Sequence, residues 1–264
     1  MPSPAEKPSA RPAAEVHVSA LSGIPLVQPG DNIADLIASG LASSGLSLRR
    51  GDILVIAQKI VSKAEGRLAD LREVTPSAPA EQLAAEVDKD PRLVELILRE
   101  STEVVRHRKG VLVVAHRSGI VLANAGIDTS NVAGDEHHVL LLPEECNRSC
   151  REIRAQLAAR TGVEAGVLII DSLGRAWRNG TVGVALGAAG LPALLDLRGK
   201  QDLFGRELRS TEVGIADEIA AAASMLMGQA GEGTPVVLLR GLNLPEADGS
   251  ATDLIRAREL DLFR

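Results

Sequence analysis

The stretch Val167-Leu168-Ile169-Ile170-Asp171-Ser172-Leu173-Gly174-Arg175-Ala176-Trp177-Arg178-Asn179-Gly180 joins an apolar run to a polar motif. The apolar run predicts a buried strand. We expect that strand to end at Asp171-Ser172 and to break at Gly174, which places a carboxylate and a hydroxyl at its carboxyl end. Open α/β sheets bind ligands at that edge, and both groups suit Mg²⁺ or Mn²⁺. A polar turn with an ion pair explains the same residues equally well.

Strand and helix patterns alternate on both sides of this motif and predict a mixed α/β fold. A chain of this length can form one large domain or two lobes. The predicted strands cover residues 52–57, 111–115, 120–123, 182–186, 194–197 and 236–239. The predicted helices cover residues 31–41, with Asp31 as the N-cap, and residues 81–87, 92–99, 144–157 and 211–228. Residues 1–15 are too poor in apolar side chains to fold, so we expect a disordered tail followed by one domain over residues 16–264.

The composition excludes several classes of protein. The chain has 264 residues, of which 45% are hydrophobic and 24% charged, as in globular proteins. A net charge of -6, no Tyr, two Phe and one Trp argue against a nucleic-acid partner. No apolar run is long enough to cross a membrane, and no apolar signal region opens the chain. We therefore expect a soluble cytoplasmic protein without a membrane partner.

Four further clusters combine small, polar and basic residues. Gln58-Lys59-Ile60-Val61-Ser62-Lys63-Ala64-Glu65-Gly66-Arg67 follows a predicted strand and suits phosphates, although a solvated basic helix is an equal alternative. Ala123-Asn124-Ala125-Gly126-Ile127-Asp128-Thr129-Ser130-Asn131 permits close approach to a ligand or a plain Asx turn. The glycine-rich loop 227–234 is a nucleotide wrap or a helix cap. The Pro-stiffened segment 22–31 is a binding loop or a structural turn.

The cysteines and histidines leave a separate question open. Cys146 and Cys150 are four residues apart on a predicted helix, near His137 and His138. Such a set could hold zinc, but it lacks the usual Cys-x-x-Cys pairs, and two reduced, structurally neutral thiols are the alternative.

Taken together, these motifs resemble one family in order and spacing from about residue 16 to about residue 245. The resemblance rests on Gly23-Ile24-Pro25, Lys59-Ile60-Val61-Ser62-Lys63-Ala64-Glu65-Gly66, Asn124-Ala125-Gly126-Ile127-Asp128 with Ser130-Asn131, and Asp171-Ser172 with Gly174-Arg175 and Trp177-Arg178. The family is coenzyme F-420-0:L-glutamate ligase, also called F-420 gamma-glutamyl ligase. In the segment 146–150 the chain departs from the family's Asp-Pro-rich pattern.

The resemblance implies a GTP-dependent ligase that joins L-glutamate to the lactyl carboxylate of the deazaflavin F-420-0 and then adds gamma-linked glutamates. An acyl phosphate would be the intermediate. The family's fold is mixed α/β, and its members form dimers with the active site near the interface. Two divalent ions, Mg²⁺ or Mn²⁺, are implied, and K⁺ is a further candidate. Another metal- and nucleotide-dependent acid–amine ligase, or a non-catalytic nucleotide-binding homologue, remains the alternative.

The resemblance also assigns residues to roles. Those expected at GTP are Ile24, Pro25, Leu26, Val27, Gln58, Lys63, Asn131, Met227, Gly228, Gln229, Ala230, Gly231, Glu232, Gly233 and Thr234. Those expected at metal are Asp128 and Asp171 for the first ion and Ser172 and Gln229 for the second. Because all the substrates are anionic, Lys59, Arg67, Arg175 and Arg178 are candidates for holding glutamate or the deazaflavin tail. The sequence indicates no base for the glutamate amine.

Overall fold

The computed structural model describes residues 14–132 and 135–262. Its strands are β1 (His17–Ala20), β2 (Ile53–Ala57), β3 (Leu68–Asp70), β4 (Ser101–Arg108), β5 (Val111–His116), β6 (Val121–Ala123), β7 (His138–Leu140), β8 (Gly166–Arg175), β9 (Arg178–Ala189), β10 (Leu195–Asp196), β11 (Glu212–Val213) and β12 (Val236–Arg240). Its helices are α1 (Ile33–Ser43), α2 (Gln58–Ala64), α3 (Ala78–Val87), α4 (Pro91–Arg99), α5 (Cys146–Thr161) and α6 (Ile215–Met227). The mixed α/β fold is confirmed. Nearly all of the predicted tail lies outside the described residues.

A five-stranded sheet in the order β1-β12-β2-β8-β9 forms the centre of the molecule. Its β2 and β8 are parallel, with Ile53 opposite Gly166 and Ala57 opposite Ile170, while the other neighbours are antiparallel. Both faces of the sheet are covered, which explains why β2 is apolar throughout rather than alternating.

Helices on each face of the sheet complete two apolar cores. On one face Ile56 and Ile169 pack with residues of α1 and α5. On the other, Val55 and Leu168 pack with Ile219 of α6. Burying each such side chain contributes roughly 1.5–3 kcal/mol, so these two layers hold the sheet edge described below in place. Among the described residues no helix has the length and apolar character needed to span a membrane.

A second, smaller lobe has a core of its own. The sheet β4-β5-β6 and the helices α3 and α4 enclose Val94, Ile97, Leu112 and Val114. The strands predicted at 111–115 and 120–123 are confirmed as β5 and β6, which pair with Val114 opposite Leu122. This lobe matters for the site because β6 leads directly into the turn that carries Asp128.

The structure corrects the prediction for the opening motif. Strand β8 does not end at Asp171-Ser172 and does not break at Gly174, because β9 pairs with it as far as Arg175 opposite Arg178. Asp171 lies one residue beyond the last parallel pair of β2 and β8, so it still lies at the carboxyl edge of β2. The polar motif is therefore the arm of a long hairpin rather than a loop.

Two other predictions of local structure were wrong, and strand β4 was missed. The N-cap of α1 is Asn32, whose Oδ1 accepts from the N–H of Asp35 at 3.1 Å, whereas Asp31 caps the turn before it. Helix α6 begins at Ile215 rather than at residue 211, because β11 pairs with β10. Strand β4 was not predicted, because its exposed residues are polar and hide the apolar pattern of a strand. Its extended structure depends on pairing with β5.

Candidate active site

The edge of the central sheet where β2 ends brings the first candidate residues together. Strand β2 runs directly into α2, so Gln58 follows Ala57 without a loop. Ala57 is paired with Ile170, and Asp171 is the next residue of β8. Gln58 and Asp171 consequently leave neighbouring parallel strands at the same end, which is where such sheets bind ligands.

Asp128 reaches this edge from the second lobe through a tight turn. Asn124 and Ala125 have positive φ values of 52° and 54°, and Gly126 continues at 70°. A side chain at Gly126 would lie 2.8 Å from Leu142, so the small residues noted in the sequence are required by close packing. After the turn, Asp128 and Leu140 exchange two backbone hydrogen bonds of 2.9 Å, which fix the Asp128 backbone.

The Asp128 carboxylate is held by the first turn of α2. Gln58 Nε2 donates to Asp128 Oδ2 at 2.6 Å, and Lys59 Nζ lies 3.1 Å from Oδ1. Ser62, which is fully buried, donates to Gln58 Oε1 at 2.9 Å and so orients the amide toward Asp128. Sequence analysis missed Ser62, although its position one helical turn after Gln58 is the signal that could have revealed it.

Asp128 and Asp171 form what we call the carboxylate pair. Burial and the negative charge of Asp128 raise the pKa of Asp171 to about 7, against backbone hydrogen bonding at Ser172 and the charge of Lys59. Burial also raises the pKa of Asp128, while Lys59, Gln58 and Lys63 oppose that shift. Burial disfavours the charged forms of both neighbouring carboxylates, and a bound cation would offset that cost.

Lys63, Asn131 and the glycine-rich loop 227–234 are linked by hydrogen bonds. Lys63 Nζ donates to the carbonyl of Asn131 at 2.9 Å, and Asn131 Nδ2 donates to the carbonyl of Ala230 at 3.0 Å. Burial lowers the pKa of Lys63, and the charge of Lys59 adds to the effect. Three segments distant in sequence and predicted at GTP therefore meet beside the carboxylate pair.

The loop 227–234 has both structural and exposed residues. Gly228 ends α6 with its N–H bonded to the carbonyl of Ser224. The Glu232 carboxylate accepts from the N–H of Ala230 at 2.8 Å, and Thr234 Oγ1 donates to the carbonyl of Leu226 at 2.9 Å. Met227 is partly buried, and the exposed members of the loop are Gln229, Ala230, Gly231, Glu232 and Gly233.

The loop 22–31 is anchored at both ends and exposed in the middle. Ile24 packs against Gly40 of α1, and Val27 is buried in the core. Pro25 and Leu26 face solvent. The N–H of Gly30 donates to the carbonyl of Ala64 at 2.9 Å, which joins this loop to the end of the helix that carries Lys63.

Ser172 points to the opposite face of the sheet from Asp171, because successive strand residues alternate. That face is covered by α6, whose Ser224 Oγ accepts from the N–H of Gly183 at 3.3 Å, and Gly183 is the cross-strand neighbour of Ser172. Gln229 follows the end of α6. The side chains of Asp171 and Ser172 therefore leave β8 on opposite faces, although the Ser172 backbone hydrogen-bonds the Asp171 carboxyl group.

The four basic candidates for substrate binding lie in different places. Lys59 contacts Asp128, as described. Arg67 instead donates to the carbonyl of Leu142 at 2.9 Å and to Glu100 at 2.9 Å. Arg175 and Arg178 flank the exposed turn at the tip of the β8–β9 hairpin. Of the four, only Lys59 contacts the carboxylate pair.

The cysteines and histidines do not meet. Cys146 and Cys150 are on α5, and burial raises the pKa of Cys146 to about 12. His138 Nδ1 instead lies 2.8 Å from an Asp135 carboxylate oxygen. Within residues 14–132 and 135–262 no three side chains among His, Cys, Asp and Glu are placed to hold a metal ion together. A cation at the carboxylate pair would therefore need ligands from elsewhere.

Comparisons with known proteins agree on one family. The family model for F420-0:gamma-glutamyl ligase matches residues 23–241. A coenzyme F420:L-glutamate ligase of Methanothermobacter thermautotrophicus is 47% identical over 251 residues, which cover 94% of this chain and 99% of that protein. Similar proteins with the same name are 47% identical in Methanopyrus kandleri, covering 90% and 93%, and 42% identical in Archaeoglobus fulgidus, covering 94% and 96%.

Proposed function

The chain belongs to the F420-0:gamma-glutamyl ligase family, and from that membership we propose that it joins L-glutamate to the lactyl carboxylate of F-420-0 at the expense of GTP. Further glutamates would then be added through gamma linkages. The observation that carries the proposal is the carboxylate pair at the sheet edge, flanked by Lys59, Lys63 and the loop 227–234.

The proposed reaction has two steps, because a carboxylate is a poor electrophile toward an amine. In the first, the gamma-phosphoryl group moves from GTP to the acid, which yields GDP and an acyl phosphate. In the second, the glutamate amine attacks the acyl carbon, the amide bond forms, and phosphate leaves while the amine loses a proton. In phosphoryl transfer the protein mainly positions the reactants and neutralises the charge of the phosphates. The lysines and carboxylates of this site are suited to both tasks.

The donor set fits divalent cations. Asp128 and Asp171 would hold the first ion, and Ser172 with Gln229 the second. When bound, Mg²⁺ or Mn²⁺ gathers the phosphate oxygens and neutralises their charge. Burial and the charge of Asp128 raise the pKa of Asp171 to about 7, and a bound cation would stabilise its charged form. Because the site offers only these few oxygen donors, phosphate oxygens and water would complete each coordination shell.

The chain's own cations and amides would position the anionic substrates. Lys63 supplies a positive charge on the side of the site where the loop 227–234 lies. Its hydrogen bond to Asn131, which in turn donates to Ala230, helps to order that loop. Lys59 bridges the carboxylate pair and the backbone carbonyl of Ser130 at 3.3 Å. Arg175 and Arg178 are exposed and available for glutamate or the substrate's tail. Arg67 is paired with Glu100, so its guanidinium would have to leave that partner to bind a substrate.

A homodimer, a K⁺ ion and a cytoplasmic location complete the proposal, and all three come from family resemblance. Dimerisation is tested by light scattering on the purified chain. The K⁺ requirement is tested by replacing K⁺ with Na⁺ in the assay.

The activity is tested by incubating the protein with F-420-0, L-glutamate, GTP and Mn²⁺ and determining product masses. We expect species heavier than F-420-0 by one or more glutamyl units, together with GDP. An Asp171→Asn variant serves as the inactive control. GDP release without glutamylated product would indicate a different acid substrate, and absence of both products would favour a non-catalytic homologue and overturn the proposal.

A further inference from the structure

Cys146 lines a cavity near the carboxylate pair, and burial together with the charges of Glu65, Glu145 and Asp171 raises the pKa of its thiol. This cavity has a volume of about 400 Å³ and is enclosed by the turn after β5, the segment 142–147, strand β9 and the turn around Ala251. Its walls are largely aliphatic: Ile120, Leu142, Leu186 and Ile255 line it. Cavities of this size and character bind small organic molecules.

The walls of the cavity are held in place by a buried amide. Asn147 Oδ1 accepts from the N–H of Ala188 at 3.1 Å and from the N–H of Ala251 at 3.0 Å. These bonds fasten the C-terminal segment onto β9. Ile255, four residues later, packs on Gly119, where an added Cβ would lie 3.4 Å from Ile255 Cγ2. The cavity is therefore built before any ligand arrives, and binding need not order its walls.

One end of the cavity is polar and incompletely bonded. His116 lines it, is only 3% exposed, and shares a hydrogen bond of 2.8 Å with Ser118 through Nδ1. Its buried Nε2 makes no hydrogen bond within the described residues, and Glu100 Oε2 is 3.5 Å away. A buried ring nitrogen without a hydrogen bond is costly, and a polar atom of a ligand could satisfy it.

Leu173 links the walls of the cavity to the sheet face that carries Asp171. Leu173 lies two residues after Asp171 and so shares its face of β8. Leu173 packs against the cluster of Leu142 and Leu186, which line the cavity. Cys146 also lines it. A ligand seated here would have one end directed along the strand toward Asp171.

The residues that line the cavity suit the ring of the acid substrate better than its anionic tail. The charged residues that line the cavity are Arg117, Glu144 and Glu145. Arg117 is paired with Glu100 at 3.1 Å, so the two glutamates would disfavour a phosphodiester or a carboxylate. A planar, largely apolar ring system suits the aliphatic walls, and a ring carbonyl or N–H suits His116. The volume, near the lower end for small-molecule sites, fits one ring system rather than a whole substrate with its anionic tail.

We infer that this cavity binds the deazaflavin ring of the acid substrate, with the substrate's anionic tail lying outside it on the side of the carboxylate pair. The inference rests on the proposed function, because the ring belongs to the substrate named there. It adds a location and the residues that recognise the ring: Ile120, Leu142, Leu186, Ile255 and His116.

The test fills the cavity and measures ring binding directly. Fluorescence titrations with F-420-0, and with a deazaflavin that lacks the phosphodiester tail, are done without GTP or metal. For Ile120→Trp we expect binding of both probes to weaken about tenfold or more, which corresponds to about 1.4 kcal/mol. Val121→Trp is the matched control, because Val121 is the exposed neighbour of Ile120 and does not line the cavity. It should bind both probes like the unaltered protein.

Thr252→Trp is a second variant in case Ile120→Trp misfolds, because Thr252 lines the cavity from an exposed position where a larger side chain should not disturb the core. It should weaken ring binding while thermal melting and GTP affinity with Mn²⁺ stay unchanged. If Ile120→Trp and Thr252→Trp bound both probes as tightly as Val121→Trp does, the inference would be overturned. Failure of the proposed function would look different: the unaltered protein would bind the ring but form no glutamylated product.

Discussion

The carboxylate pair and a second acidic cluster show how charge balance separates a binding site from a structural one. We call the second the Glu100 cluster; it contains Glu100, Arg67, His116 and Arg117. Burial raises the pKa of Glu100, but polar contact with His116 and the charges of Arg67 and Arg117 outweigh it and hold the pKa at about 2. At the carboxylate pair, burial and repulsion dominate, and the pKa of Asp171 rises to about 7.

The difference lies in how many cations the fold supplies for each acid. Arg67 Nη2 and Arg117 Nε lie 2.9 Å and 3.1 Å from the same Glu100 oxygen, so the charge of Glu100 is balanced without a ligand. Within the described residues, the carboxylate pair has Lys59 in contact with Asp128, Lys63 near enough for its charge to oppose the rise in the pKa of Asp128, and no arginine. An acidic site that the fold leaves short of positive charge is a candidate for binding cations, whereas a balanced one mainly stabilises the fold.

The largest expected effect is at Asp171. Asp171→Asn should lower turnover on the order of a hundredfold or more, because it removes charge that stabilises the transition state through the metal ions. The metal-free variant should unfold at the same or a higher temperature, since a buried uncompensated carboxylate is gone. Steady-state kinetics with saturating Mn²⁺ and a thermal melt measure the two effects. Near-normal turnover would break the comparison, because Asp171 would then not face the metals.

The second effect concerns GTP affinity. The triphosphate is anionic and the carboxylate pair is acidic, so without divalent metal we expect binding to weaken about tenfold or more in EDTA. With metal present, Lys63→Ala should lose affinity for GTP more than for guanosine, because Lys63 provides charge and not base recognition. Calorimetry measures both. Equal GTP affinity with and without metal would show that the carboxylates do not face the phosphates.

The third effect is on stability at the Glu100 cluster. Glu100→Gln should lower the free energy of unfolding by about 1–3 kcal/mol, because Arg67 and Arg117 lose a partly buried charged partner. Glu246→Gln, in an exposed pair with Arg50, is the matched control and should change stability by less than about 1 kcal/mol. Urea denaturation provides the measurement. A cost at Glu100 no larger than at Glu246 would remove the distinction between the two acidic sites.

The same cluster predicts a pH dependence. The folded pKa of Glu100, about 2, is below its unfolded value of 4.5, so the unfolded chain binds the proton more readily between these values. Its stabilising contribution is therefore present above pH 4.5 and lost as pH falls toward 2. Glu100→Gln should show a shallower loss of stability over this window than the unaltered chain. Parallel curves for the two proteins would contradict the assignment.

The smallest expected effect is at Ser62, a positioning residue that acts through Gln58. Ser62→Ala should lower kcat by a few-fold and leave the KM for GTP nearly unchanged, since it frees the Gln58 amide that holds Asp128. Ser62→Thr, which keeps the hydroxyl, should restore part of the rate. A KM effect without a kcat effect would place Gln58 at the nucleotide rather than at Asp128.

Local sequence patterns determined much of the fold. The apolar runs of β2, β8 and β12 and the helical periods of α1 and α5 were predicted because burial of one face leaves its repeat in the chain. The sequence motifs also identified the family, and the comparisons confirm that identification. They brought Gln58, Lys63, Asp128, Asn131 and Asp171 into one set of candidates before any contact was known.

Only the tertiary structure decided which candidates meet. Strand β8 continues through Asp171 because β9 pairs with it, and Arg67 turns to Glu100 because the second lobe places a buried acid there. The Ser62–Gln58–Asp128 chain likewise joins residues from two lobes. Strand pairing, charge compensation and burial depend on contacts between residues far apart in sequence. A local sequence pattern does not determine which of those residues come into contact.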